Sequence, residues 1–306
     1  MGIDAVALRL EYIPEYRDTG FLTEDGAARL VDRFASFGLS IGLANLSIEH
    51  LWDIYFDRSG VTAAIDRLKS FVRTLGSVGI NLVGIKPNSG QYLPPKRTPG
   101  KTTEAGRGGY ERRGIDMHLA ADEMDAPLGE VAEQEVWDGY YRLLDAVLPT
   151  AEQAGVRLTH HGNDPPVPVY RGLPHVLRNF DAFERLFERY PSPFHGMTYC
   201  VGTRYESGED VFEGIRRFGT EGRIFHVHFR NVHGTFADGG RFVETFYDDG
   251  DLDMLAVARA LQAVGYEGIL NIDHIPTTVG DSADWKTGSA WLIGYAKALL
   301  ACIETI

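Results

Sequence analysis

Residues 134–161 read QEVWDGYYRLLDAVLPTAEQAGVRLTHH. A stretch of helical period, 134–154, runs into Gly155, and a short strand-like run, 156–161, follows at once. Glycine adopts the left-handed conformation that ends a helix more readily than any other residue, so helix, glycine and strand read as one unit. The unit recurs along the chain, with Gly38, Gly79, Gly219 and Gly265 each placed just after a periodic run.

Working outward, strands are predicted at 4–9, 40–45, 80–86, 156–161, 195–200, 224–229 and 268–273. Helices are predicted at 24–37, 61–78, 134–154, 178–190, 209–218, 252–264 and 287–304. Such alternation marks βα units on a parallel sheet. The fold class is therefore α/β, a TIM-type (β/α) barrel formed by residues 1–306 as a single domain. Full closure takes eight strands, and seven are read here, so the barrel is expected to be incomplete or irregular at its N-terminal strand. A doubly wound open sheet is the alternative, but no glycine-rich dinucleotide fingerprint follows an early strand.

Residues 88–130, rich in Gly, Pro, Arg and Glu, break the rhythm. A long excursion beyond a strand exit is expected to be a lid, an oligomer contact or a disordered loop, with Tyr92, Tyr110 and Met117 as its anchors.

At 306 residues, 44% of them hydrophobic, the chain can bury a sizeable core. A formal charge of −13 argues against nucleic acid as a partner, because phosphate binding needs a basic surface. No run of about 18 apolar residues and no secretory signal pattern is present, so a cytoplasmic protein without membrane contact is expected. The two cysteines, Cys200 and Cys302, lie far apart and suggest no disulfide framework. A small-molecule substrate and a homo-oligomer are the expected partners.

Strand C-termini open on one face of a parallel barrel, so residues that end neighbouring strands converge. His161, Cys200, His228 and Asp273 end the fourth to seventh predicted strands. Imidazole, thiolate and carboxylate are good ligands for a first-row divalent ion, and four such groups at one mouth predict a metal site. Thiolate favours zinc or iron, while carboxylate with open positions suits manganese. Singly, each has a plainer reading: Cys200 as a small buried hydrophobe, the histidines as core or rim residues, Asp273 as a turn cap. Their common place at strand ends favours the metal.

Side chains alternate along 224–232, so His226 and His228 share a face, and Arg230 lies just beyond on the same side, placed to meet a carboxylate. His274 follows Asp273, and an imidazole there suits proton transfer near neutral pH.

Over 156–274 the sequence resembles the mannonate dehydratase family, whose members have a xylose-isomerase-like TIM barrel. The run His161-Gly162-Asn163-Asp164-Pro165-Pro166 is similar to that family's His-Pro-Asp-Asp-Pro-Pro, and Tyr199-Cys200-Val201-Gly202-Thr203 to its cysteine-bearing strand end. Its His-Phe-Arg-Asn-Val signature stands intact at 228–232, residues 242–246 and 251–254 look like its following segment, and Asp273-His274 is half of its Asp-His-Gly-Arg turn. The resemblance implies His161, Cys200, His228 and Asp273 as ligands, usually of manganese (Mn2+), with zinc, iron or cobalt as alternatives. It implies His274 as an acid/base residue, Arg230 as a group that offsets carboxylate charge, and substrate contacts from Arg230, Asn231, Glu244 and Arg204; a solvent-exposed loop pair is the plainer reading of the last two.

The implied reaction is dehydration of a sugar acid, D-mannonate to 2-keto-3-deoxy-D-gluconate. Two departures bear on substrate grip: Pro276 stands where the family has arginine, and the family's tyrosine before the last helix has no counterpart near Trp285, Lys286 and Ser289. The same barrel and metal geometry serve sugar isomerases and epimerases, and a non-catalytic sugar-acid binding protein is a third reading. Product analysis separates the first two; metal analysis tests the third.

Overall fold

The structure, a computed structural model, describes residues 2–304. Its strands in chain order are β1 Ala5–Arg9, β2 Ser40–Asn45, β3 Leu82–Ile85, β4 Lys101–Ala105, β5 Glu111–Asp116, β6 Arg157–His161, β7 Val169–Tyr170, β8 Leu173–Pro174, β9 His195–Cys200, β10 Ile224–Phe229, β11 Asn231–His233, β12 Arg241–Thr245 and β13 Leu270–Ile272. The order β1-β2-β3-β6-β9-β10-β13 makes one parallel sheet, curled into a nearly closed TIM-type barrel. These are the seven predicted strands, each within two residues of its expected ends. β1 and β13 are the two edges of the sheet, and among the described residues no strand pairs them. The irregularity expected at the N-terminal strand is this seam.

Helices cover the outer face of the sheet. In Val61–Ser77 the buried residues are Ala64, Leu68, Phe71, Val72 and Leu75; in Glu133–Gln153 they include Val136, Tyr140, Leu143, Leu144, Val147 and Ala151. Spacings of three and four make an apolar stripe, which meets Val83, Ile85 and Leu158 on the strands. Each such large aliphatic side chain contributes about 1.5–3 kcal/mol when fully buried. Inside the barrel a separate small cluster, Leu43, Leu82 and Phe225 with Ala7, forms an apolar floor.

Gly38, Gly79, Gly155 and Gly265 have φ of 70, 82, 66 and 72° and end their helices as expected. Gly219 does not. Helix Val211–Thr220 runs through it, and Gly222, at φ 66°, makes the turn instead. A Cβ at Gly219 would press on Val264, so glycine there permits close packing between helices.

The excursion 88–130 is ordered, which removes the disordered-loop alternative. β4 and β5 form a hairpin that joins β12 and β11 in a four-stranded antiparallel sheet, order β11-β12-β5-β4. Because β11 continues from the C-terminal end of β10, this sheet stands over the barrel mouth as a canopy. The hairpin is fastened by Tyr110 Oη donating to Asp249 at 2.7 Å and by Arg107 paired with Asp248 at 2.6 Å. Behind it, Arg171 is fully buried, paired with Asp125 at 2.6 Å and donating to the carbonyls of Gly90 and Leu93. Among the described residues no helix is long and apolar enough to cross a membrane.

Candidate metal centre

His161, Cys200 and His228 are the last or nearly last residues of β6, β9 and β10, and Asp273 follows β13 directly. Cys200 and His228 share a rung of the sheet. His161 pairs with Thr198, two residues short of Cys200, and His228 pairs with Asn271, two short of Asp273. Tilted barrel strands require such stagger. The ligand atoms of His161, Cys200 and His228 consequently lie within 4.8 Å of one another. Asp273 Oδ2 stands beside them, 3.3 Å from His228 Nδ1.

The donor set fits a divalent cation. His161 Nδ1 donates to the Gly162 carbonyl at 2.6 Å, which fixes the tautomer and leaves Nε2 with a lone pair turned into the site, 3.1 Å from His228 Nδ1. Burial alone would push the Cys200 thiol up, but the Arg230 charge, and after it a hydrogen bond from His228, override it and hold it well below the usual thiol range. Burial likewise opposes the Asp273 carboxylate, yet His228 and His274 keep it well below the usual carboxylate range. A thiolate and a carboxylate thus face two imidazoles at the mouth.

Arg230 is the charge hub, and it points inward. Nε donates to Cys200 Sγ at 3.2 Å, Nη1 to Glu206 at 2.5 Å and Glu244 at 2.9 Å, and Nη2 to Asp164 at 2.9 Å and Thr203 Oγ1 at 2.8 Å. With 1% of the residue exposed, every edge of the guanidinium is engaged by the chain itself. The carboxylate expected at Arg230 is thus supplied by the chain itself: the arginine orders Cys200 and three acidic side chains, and no edge of its guanidinium is open to the substrate contact that was expected of it.

His274 stands at φ 47° with 43% of its side chain open to solvent. Its Nδ1 donates to Glu244 Oε1 at 2.5 Å, and Nε2 lies 3.6 Å from Asp273 Oδ2. Desolvation would lower its pKa, but Asp273 and then Glu244 outweigh it and push the imidazole up to about 10. His228 behaves in the same way: Asp273 overcomes burial and raises it to about 9. Glu244, predicted to touch substrate, is buried between Arg230 and His274 and is exposed by only 5%.

Two further expectations change. Asn231 is fully buried, its Nδ2 donating to the carbonyls of Tyr247 and Leu252 and its Oδ1 accepting from the amides of Val232 and Leu252. It clamps the turn after β12 and has no edge left for substrate. Arg204, also buried, pairs with Glu209 at 2.9 Å and donates to the Arg178 carbonyl. It lies under Gly162, where a Cβ would come within 2.7 Å of its Nη2, so it supports the turn that carries His161. Neither Arg204 nor Glu244 belongs to an exposed loop.

Sequence reasoning gave no separate role to Asp164, Thr203 or Glu206, the partners of Arg230. It also passed over Arg9, Asn45 and Lys86, which stand at the ends of β1, β2 and β3. The strand-end rule that found the ligands applies to these three equally.

Comparison with known proteins supports the resemblance. Residues 108–302 match the model of the D-mannonate dehydratase (UxuA) family. The chain is 33% identical over 146 residues to mannonate dehydratase 2 of Halalkalibacterium halodurans, covering 47% of this chain and 42% of that protein, so it spans less than half the length of that relative. It is 26% identical over 301 residues to the mannonate dehydratase of Streptococcus agalactiae serotype III, covering 89% of this chain and 85% of that protein. Its fold matches the crystal structure of mannonate dehydratase from Streptococcus suis serotype2 with a TM-score of 0.78 at 24% identity, over 92% of this chain and 84% of the other.

Proposed function

The chain belongs to the D-mannonate dehydratase family, and we propose that it is a metal-dependent hydro-lyase that converts D-mannonate to 2-keto-3-deoxy-D-gluconate. The observation that carries this reading is the convergence of His161, Cys200 and His228, ligand atoms within 4.8 Å of one another, at the mouth of the barrel and beside Asp273. These four residues would hold the ion, Mn2+ being the metal proposed. The chemistry it would supply there is Lewis acidity toward an acidic, hydroxylated substrate, which would make the proton next to the carboxylate more acidic.

The remaining work falls to side chains. In the metal-free chain Asp273 and then Glu244 raise the His274 imidazole; with Asp273 turned to the ion, the carboxylate of Glu244 hydrogen-bonded to Nδ1 is what would keep it charged. The C2 proton passes to a general base and its electron pair forms the C2–C3 double bond, while an imidazolium at the open rim gives its proton to the departing 3-hydroxyl, so that water leaves and the enol formed tautomerises to the 2-keto acid. Glu244 aims it, and also ties its position to Arg230. Arg230 holds the Cys200 thiolate and three carboxylates in place before substrate arrives, so little reorganisation accompanies the reaction. The canopy of β11, β12, β5 and β4 limits water at the mouth.

The test is incubation of the purified protein with D-mannonate and Mn2+ and detection of the 2-keto-3-deoxy acid. Product that requires the metal is expected. No product at high protein concentration, together with turnover of a neutral ketose, would overturn the reading in favour of an isomerase or epimerase.

A further inference from the structure

The metal-bearing strands supply one side of the mouth. β3 pairs with β6 so that Ile85 lies beside His160. His160 faces the helices, its ring 6.0 Å from that of Tyr140 and 5.0 Å from that of His195. Side chains alternate along a strand, so the next residues, Lys86 and His161, both turn into the barrel mouth.

Lys86 has 19% of its side chain exposed, and its Nζ lies 2.8 Å from Glu11 Oε1. Arg9, at the end of β1, binds the same oxygen at 2.9 Å. Two cations therefore share one carboxylate, and Arg9 alone would neutralise it. Tyr92 joins this group from the excursion: Lys86 Nζ stands 5.8 Å from the ring centroid. Burial dominates the environment of the phenol, and beyond it the charges that reach it are Asp164 and Asp273 of the metal side together with Arg9 and Glu11. Tyr92's neighbour Gln91 reaches the metal side, donating to the Asp164 carbonyl at 2.8 Å.

We propose that Lys86, with Arg9 and Tyr92 beside it, is the subsite for the hydroxylated tail of an open-chain sugar acid whose carboxylate end lies at His161, Cys200 and His228. The inference rests on the reading of the metal centre given above. An ammonium has three donors, and Glu11 accepts from one. The others face an acid that carries a hydroxyl on each carbon beyond C3. Hydrogen bonds from a charged donor discriminate more strongly than neutral ones. A lysine on a flexible stem can follow a polyol chain, while the planar Arg9 keeps Glu11 occupied.

The experiment is calorimetric titration of Mn2+-loaded protein, wild type and variant at position 86 alike carrying His274→Gln to suppress turnover, with D-mannonate and with a four-carbon aldonate of the same configuration at C2 and C3. The wild type is expected to bind the six-carbon acid about tenfold more tightly, the loss of one charge-assisted hydrogen bond being of that order. Lys86→Met should erase the advantage while the affinity for the short acid and the metal content stay unchanged. Should Lys86→Met fail to fold, Lys86→Gln carries the test, with a loss of at least about threefold expected on the same grounds. The inference is overturned if the wild type shows no preference for the longer acid or if the variant keeps it. Tail-dependent binding that Lys86→Met abolishes, without any product from the unsubstituted protein, would refute the dehydratase reading and leave the subsite standing.

Discussion

Arg230 Nη1 and Glu206 Oε1 lie 2.5 Å apart, with 2% and 0% of their side chains exposed, and burial pushes the Glu206 carboxyl well above the usual range against the pull of Arg230. Removing one partner of a buried pair strands the other's charge in a medium that solvates it poorly. Arg230→Met leaves Asp164, Glu206 and Glu244 without their common cation. The variant is expected to lose about 3–5 kcal/mol of stability in urea denaturation of the metal-free protein. A loss below about 1 kcal/mol would place the pair among ion pairs of the surface kind.

Cys200 is the soft ligand of the proposed site, its thiol held well below the usual range chiefly by Arg230. Serine keeps the size and loses the charge. Wild-type protein is expected to bind about one divalent ion per chain, and Cys200→Ser to bind it at least about tenfold more weakly. Metal analysis after dialysis checks both; equal content in the two proteins would remove Cys200 from the ligand set.

His274→Gln should lower kcat by about 10²–10⁴ if the imidazolium is the general acid, with metal content unchanged. Glu244 acts through it as a positioning residue, because it accepts the Nδ1 proton. In Glu244→Gln the alkaline limb of the kcat profile should move to lower pH, as one of the carboxylates that raise His274 is gone. An unmoved limb with reduced kcat would assign Glu244 a purely structural part.

Without metal, His228 is raised to about 9 and His274 to about 10 by neighbouring carboxylates, against about 6.5 in an unfolded chain. A raised histidine binds its proton more tightly in the folded state. Its contribution is complete below about pH 6.5 and disappears as pH rises through the folded value. The metal-free protein should therefore melt at a lower temperature at pH 10 than at pH 7. His274→Gln should flatten only part of this slope, since His274 is 43% exposed and solvent screens its partners. A midpoint that does not fall over that range would contradict the assignment.

The barrel strands were legible because each is a short apolar run, and five of the seven, all but β1 and β9, are entered from a helix through a glycine. Gly219 misled because the helix before it continues to Thr220, and close packing on Val264 calls for glycine as strongly as a helix stop does. The hairpin of β4 and β5 was not legible. KTTEA and ERRGID are largely polar, and what makes β5 a strand is its pairing with β12, more than a hundred residues away. The convergence of His161, Cys200, His228 and Asp273 could be read from strand ends alone. The inward turn of Arg230 could not, since it depends on acids delivered by Asp164, Glu206 and Glu244 from three separate segments. Lys86 and Arg9 were overlooked for a different reason: a charged strand end looks like ordinary surface until its partner is known.

The chain leaves β10 at Phe229 and enters β11 at Asn231, so one residue, Arg230, joins the barrel to its canopy. Joint and charge hub are the same side chain. Lifting the sheet at this point would pull the guanidinium from the acids that hold it, and the cover therefore has no inexpensive hinge at its root. If an ion is held at Cys200 and His228 as proposed, it would leave rapidly only when β10 itself frays, whereas small molecules could still pass the free end of the hairpin. The proposed site would then show slow metal release beside fast substrate traffic.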